Sequence, residues 1–268
     1  MMKKVKTTII GTLVFLVSMI GLAGCSSDKA TEDTFPKIKE KGQIVMGLDD
    51  TFAPMGFRDA NNEIVGFDVD LAKEVFKRIG LEVKFQPIDW AMKESELNAG
   101  NIDLIWNGYS ITEERKEKVV FSTPYLENSQ IIITLAGSDI NTKQDLAGKK
   151  VATQSGSSAV DAMNTEPELV SAFADGEPIV FDTNNEAFLD LEAGRADAVV
   201  ADEVLARYYI KQRGEDQFKV LEEDFGKEEY GIGMRKGDKQ LVELVNQALE
   251  EIKQDGSYDE IYQKWFAK

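Results

Sequence analysis

Between residues 44 and 106, short apolar runs alternate with stretches of helical amphipathicity, and this alternation leaves the chain few folds to choose from. Residues 44–47 (Ile-Val-Met-Gly) read as a strand. Asp68 then caps a predicted helix that places Val69, Ala72, Val75, Phe76 and Ile79 on one face and stops at Gly80. Residues 83–85 form the next strand, a helix over about 91–99 ends at Gly100, and residues 102–106 form a third strand. Strand–helix–strand–helix–strand is the pattern of a parallel sheet with helical crossovers. A second unit repeats it: strands are expected at 150–153, 179–181 and 198–200, with helices from Ala159 and from Asn185 to Gly194. The β-branched run 130–136 leads out of the first unit, and residues 230–234 form a strand returning to it. A helix over 239–254 follows, then one carrying Tyr258, Ile261, Tyr262, Trp265 and Phe266, aromatics whose helical spacing reads as core packing.

The third strand has the most informative ending. Residues 102–106 break at Asn107-Gly108, and a helix restarts at Thr112, a cap with Glu113 and Glu114 in the first turn. Arg115 opposes the dipole of that helix start, so it either pairs with Glu113, Glu114 or another surface acid, or needs a different anion. A strand end, a glycine, the Ser110 hydroxyl and a guanidinium make a good carboxylate site.

The N-terminus carries Lys3, Lys4 and Lys6, an uncharged apolar run to about Ala23, and then Gly24-Cys25-Ser26. A basic start, a short apolar core and small residues describe a secretory signal that is short for a membrane span. Leu22-Ala-Gly-Cys25 resembles the lipobox of bacterial lipoproteins, which makes residues 1–24 the signal peptide and Cys25 the acylated N-terminus. Several acyl chains anchor a protein stably where one does not. Cys25 is the only cysteine, so no intrachain disulfide can form. Residues 25–34 are polar and aperiodic and read as a flexible tether.

Losing Lys3, Lys4 and Lys6 with the leader takes the net charge from −17 to −20, which argues against nucleic acid as a partner. The chain contains no histidine, which excludes Ser-His-Asp and Cys-His hydrolases and nearly all zinc sites. No metal or cofactor is expected.

In open α/β sheets, ligands bind beyond the carboxyl ends of the strands. Those ends supply Asp49 and Phe52, Asp89 and Trp90, Gly108 with Ser110 and Arg115, Gln154 with Ser157 and Ser158, and Asp202. Aromatic faces, hydroxyls, one guanidinium and several carboxylates suit the zwitterion of an α-amino acid. Gly66-Phe-Asp-Val-Asp-Leu71, Ser110-Ile-Thr-Glu-Glu-Arg115, Phe121-Ser-Thr-Pro-Tyr125, Arg195-Ala-Asp-Ala198 and Tyr258-Asp-Glu-Ile-Tyr-Gln-Lys-Trp-Phe266 occur in order from about Gly42 onward. Together they resemble the polar amino-acid-binding lipoproteins of ABC importers, the family 3 extracellular solute-binding proteins.

The resemblance implies a two-lobed α/β fold of the type II periplasmic-binding kind. Lobe 1 comprises 35–126 and 230–268, lobe 2 comprises 131–225, and crossing strands at 127–130 and 227–229 form the hinge. It implies that Arg115, Ser110, Ser157 and Ser158 hold the ligand carboxylate, and that Asp202 and the Gly108 carbonyl hold the ammonium. Phe52 and Trp90 would sandwich the side chain, with Asp49 reading its polar end. Gln154 stands where some relatives carry a basic residue and Ala201 where others carry a larger polar one, which leaves the ligand open. Each residue also has a plainer reading: Asp202 as a cap for a helix from Glu203, Phe52 and Trp90 as core, Ser157 and Ser158 as caps. The implied partners are a free L-amino acid, an ABC permease with its ATPase, and the outer face of the cytoplasmic membrane through Cys25, with the receptor a monomer. The same fold also carries an extracytoplasmic dehydratase of the cyclohexadienyl type, which needs only a cleft carboxylate as general acid.

Overall fold

The computed structural model describes residues Asp33 to Ala267. The expected signal peptide, Cys25 and most of the expected tether lie outside the described residues. Asp33 and Thr34, assigned to the tether, are instead tied to the folded body. Thr34 donates from its backbone N and its Oγ1 to Asp238 Oδ1 at 2.9 and 2.8 Å, and Asp33 accepts from Gln240 N at 2.8 Å.

Two five-stranded sheets organise the rest. The first runs Glu82–Pro87, Gln43–Leu48, Leu104–Ile105, Gly233–Met234, Val120–Phe121. Its first three strands are parallel, as the crossover helices require, and Gly233–Met234 enters antiparallel to both neighbours. Ile44, Met46 and Leu48 are fully buried, as expected of a strand covered on both faces. The crossover helix Phe67–Ile79 buries Val69, Ala72, Val75 and Phe76, and it stops where Gly80 adopts φ 81°. Asp68 does not cap that helix; Gly66 holds the cap position, and the Asp68 carboxylate is buried against the Gly108 loop.

The second sheet runs Ile179–Phe181, Val151–Gln154, Ala198–Asp202, Leu126–Leu135, Phe218–Tyr230. Its last two members are long antiparallel partners, registered from Phe218↔Leu135 to Tyr230↔Leu126, with irregularities after Val220 and after Asp224. The returning strand therefore begins much earlier than residue 230. Near Tyr230 the pair reaches the first sheet: Tyr125 N donates to Tyr230 O at 3.0 Å, and Ser110 bridges to Tyr230.

Local differences from the expected elements have simple causes. The loop after Leu48 folds into a small meander of Thr51–Phe52, Gly56–Arg58 and Ile64–Val65, too short to leave a periodic signal. The helix expected over 91–99 opens with a 3₁₀ turn at Trp90–Met92, capped by Asp89, which accepts from Ala91 N at 2.9 Å. The last helix, Ser257–Phe266, has its aromatics half-buried rather than at the centre of the core, with Tyr262 37% exposed. Two of them add polar ties: Trp265 Nε1 to Asp70 Oδ2 at 2.9 Å and Tyr258 OH to Tyr125 O at 2.7 Å.

Candidate functional site

The strand ends of the two sheets face one another, and the residues picked out in the sequence fall along that cleft. Thr112 caps the helix Glu113–Lys118 by accepting from Arg115 N at 3.2 Å. This fixes the backbone from which the Arg115 side chain turns inward. The guanidinium is only 3% exposed and lies over the Tyr109 ring at 4.6 Å. It donates from Nη1 to Ser110 O at 3.0 Å and from Nη2 to Gly156 O, on the opposite sheet, at 3.2 Å. It forms no ion pair among the described residues: Glu113 binds Lys116 and Glu114 binds Lys118 instead. A guanidinium has five N–H donors, so an anion can still be bound there.

Lys93, which carried no sequence signal, joins Arg115. Its ammonium is buried, donates to Gly156 O at 2.8 Å and to Trp90 O at 3.2 Å, and lies 5.1 Å from the Trp90 ring centre. Burial, and then the charge of Arg115, push its pKa down to about 8. Trp90 is buried and stacks edge-on against Tyr109 with ring centres 5.8 Å apart.

Gly108 adopts φ 56°, and a Cβ there would sit 2.7 Å from Phe52 Cε1, so this turn requires glycine. Its N–H donates to Asp68 Oδ2 at 2.7 Å, and that oxygen also accepts from Tyr125 OH at 2.9 Å. Burial raises the Asp68 pKa to about 7. Phe52, on the first strand of the meander, lies against this turn. Asp49 is held by Thr51, whose N and Oγ1 donate to Oδ1 at 2.9 and 2.7 Å, while Oδ2 accepts from Gln154 Nε2, on the other sheet, at 2.7 Å. Its pKa is raised by burial. Gln154 is itself oriented by Asn184, which donates to its Oε1 at 2.8 Å.

Ser157 and Ser158 begin the helix Ser158–Asn164, but neither hydroxyl caps it. Ser157 Oγ donates to Gln154 O at 2.8 Å, and Ser158 Oγ lies 3.0 Å from Ser110 Oγ across the cleft. Asp202 precedes the helix Glu203–Arg213 without capping it by its side chain. The carboxylate points into the cleft, where Oδ1 accepts from Asn128 Nδ2 (2.5 Å), Tyr230 OH (2.8 Å) and Gln130 Nε2 (3.0 Å). Its pKa is raised, first by burial and then by the neighbouring charge of Glu228.

Asn128, Gln130, Glu228 and Tyr230 belong to the paired long strands and were not expected at the site. The alternation of Asn128 and Gln130 on one strand face was a usable signal, because residues two apart share a face. An open groove of about 1550 Å³ lies between Glu203–Arg213 and Ser257–Phe266. None of the expected site residues line it, but Asn128 and Glu228 do. Among the described residues no group of acids, cysteines or histidines could hold a metal ion. No described helix is long and apolar enough to cross a membrane.

Two α/β sheets joined by a pair of long strands, with charged and hydroxyl side chains of both facing one cleft, define a two-lobed solute-binding protein of the type II periplasmic-binding fold. The chain belongs to the bacterial extracellular solute-binding proteins, family 3, whose family model matches residues 44–268. It is 32% identical over 239 residues to the L-cystine-binding protein TcyJ of Escherichia coli, covering 88% of this chain and 87% of that protein. It is also 32% identical to the ABC transporter glutamine-binding protein GlnH of Bacillus subtilis, covering 94% of each. Among solved structures it resembles an ABC uptake transporter substrate-binding protein from Streptococcus pneumoniae with bound histidine. The TM-score is 0.86 at 42% identity, covering 88% of this chain and 97% of that one. These relatives are binding proteins, and the chain is a solute-binding protein of their family, which favours that reading over the dehydratase one.

Proposed function

We propose that the protein is a lipid-anchored receptor that captures a polar L-amino acid and hands it to an ABC permease. The observation that carries this is the separation of charge in one cleft. At one place stands a buried guanidinium with donors to spare and no carboxylate partner among the described residues. At another stands the buried Asp202 carboxylate, with no Lys or Arg within ion-pairing distance among the described residues. An α-amino acid offers the complementary carboxylate and ammonium. In this reading Arg115, Ser110, Ser157 and Ser158 receive the carboxylate, Asp202 and the Gly108 carbonyl receive the ammonium, and Phe52 and Trp90 flank the side chain.

The lobes divide as 35–126 with 230–268 and 131–225, and the hinge runs through 127–130 and 227–229. Closure brings Asp202 and the Ser157 loop onto a ligand held by Arg115, a change driven by differential affinity alone. Cys25 fixes the receptor to the outer face of the cytoplasmic membrane.

Arginine is the first choice of ligand, then glutamine, lysine and histidine. Asp49 stands at the side-chain end, the opposite position holds neutral Gln154, and the chain is strongly anionic, whereas Asp50 is ion-paired with Arg58. The aromatic faces of Phe52 and Trp90 suit a cationic group, with about 0.5–2 kcal/mol expected for a cation over a ring. A thermal-shift screen of the twenty amino acids tests both levels. L-Arginine should raise the melting temperature more than L-glutamate; a screen led by acidic amino acids would remove the preference, and one with no response would remove the receptor assignment.

A further inference from the structure

At the hinge end of the cleft, donors converge on two carboxylates. Glu228 Oε2 accepts from Ser110 Oγ at 2.6 Å, from Gln130 Nε2 at 2.9 Å, from Ser158 Oγ at 3.0 Å and from Asn128 Nδ2 at 3.3 Å. The same two amide groups donate to Asp202, as does Tyr230 OH. Two carboxylates therefore share one set of donors, and neither has a Lys or Arg within ion-pairing distance among the described residues. The amide oxygens of Asn128 and Gln130 are buried and accept no hydrogen bond among the described residues. A hydroxyl has a single proton to give, and an ionised carboxylate can only accept. With its proton directed to Glu228, Ser110 can offer a ligand only oxygen lone pairs, whereas Ser158 Oγ lies 3.0 Å from both Glu228 Oε2 and Ser110 Oγ and has one proton for the two.

We propose that Glu228 is a specificity-determining positioning residue. By accepting the proton of Ser110 it turns that hydroxyl oxygen into an acceptor and, with Asp202, makes the hinge end of the cleft a seat for a protonated primary amine. This rests on the amino-acid receptor reading and revises one part of it: the Ser110 hydroxyl serves the ammonium, and the ligand carboxylate is left to Arg115 and the loop that begins at Gly156. An amine brings three donors to a place where two carboxylates and the Ser110 oxygen can accept them. A ligand lacking that amine leaves two carboxylates facing one another with no cation between them, which is costly away from water. Glu228 reaches this place from the second long strand, outside every motif that the sequence displays.

The test is titration calorimetry of the full chain with L-arginine and L-glutamine. Each is paired with its desamino analogue, 5-guanidinopentanoate or glutaramate. Glu228→Gln, which supplies donors where the carboxylate only accepts, should weaken the better-bound amino acid by about tenfold or more, the scale of one charge-assisted hydrogen bond. The matching desamino analogue should lose less than about threefold, so the preference for the amine collapses. In a double-mutant cycle, Ser110→Ala should cost much less in the Glu228→Gln background than in the native one, because both changes remove the same oriented hydroxyl. The cycle uses the amino acid alone, so it decides the matter where the analogue binds too weakly to measure. Equal losses for amino acid and analogue with additive mutations would make Glu228 a scaffold residue and overturn the inference. A gain in affinity on Glu228→Gln would overturn it in the opposite direction. If the native protein binds no polar amino acid at all, the receptor reading itself fails, a result distinct from either of these.

Discussion

Arg115 and Gly156 meet across the cleft, with Nη2 of the one donating to the carbonyl oxygen of the other at 3.2 Å. Lys93 Nζ donates to the same oxygen at 2.8 Å, so two buried cations of the first lobe converge on one backbone carbonyl of the second. The contact ties lobe position to the place where a ligand carboxylate would sit.

From this relationship follows the first expectation. Arg115→Ala should weaken amino-acid binding by roughly 2–5 kcal/mol, the usual cost of removing one partner from a buried charged pair. Melting of the ligand-free protein should change much less, because the helix cap at Thr112 and the Tyr109 packing onto Trp90 remain. Calorimetry with native-like binding by Arg115→Ala would show the guanidinium to be structural only.

Gln154 and Asp49 form another polar contact between the sheets, at 2.7 Å. If Asp49 reads a guanidinium, Asp49→Asn should weaken L-arginine by about 1.5–3 kcal/mol, the worth of a hydrogen bond to a charged group, and L-glutamine by less. Equal losses for the two ligands would assign Asp49 to lobe contact rather than to recognition.

How much of this could be read from residues alone depended on how local each signal was. The ends at Gly108–Arg115, Gln154–Ser158 and Asp202 were legible because an apolar run, a break and a helix start are contiguous in the chain. Asp68 misled for the same reason: Gly66-Phe67-Asp68 looks like a local cap, whereas the carboxylate is drawn to the Gly108 amide, forty residues away in sequence. Glu228 was invisible for a different reason. Its direction depends on the register of Phe218–Tyr230 against Leu126–Leu135, and two irregularities lie upstream of it. A slip of one residue turns every side chain of a strand to the other face, so composition could not say whether Glu228 or Glu229 enters the cleft.

The anchor at Cys25 lies outside the described residues and stands on the lipobox alone. Cys25→Ser should move the protein from the membrane fraction to the soluble one, or leave the precursor uncleaved. Fractionation with immunoblotting decides it, and unchanged membrane retention with normal maturation would remove the lipid from the account.

The final expectation concerns pH and rests on Asp68. Its carboxylate is fully buried and accepts from Gly108 N and Tyr125 OH, yet burial outweighs both and lifts the folded-state pKa from an ordinary 3.8 to about 7. Between those two values the folded chain holds a proton that the unfolded chain has released. Stability linked to this group is therefore present at low pH and is lost as pH rises toward about 7, then levels off. Two pH units inside that window correspond to roughly 2 to 3 kcal/mol at 1.36 kcal/mol per unit. Asp202 is shifted in the same direction, so the slope does not vanish when Asp68 alone is changed. Urea unfolding at pH 5 and pH 8 should show the native protein losing stability at the higher pH relative to Asp68→Asn, which cannot ionise. An identical pH difference in the two proteins would mean that Asp68 is ionised throughout, with its two donors outweighing burial.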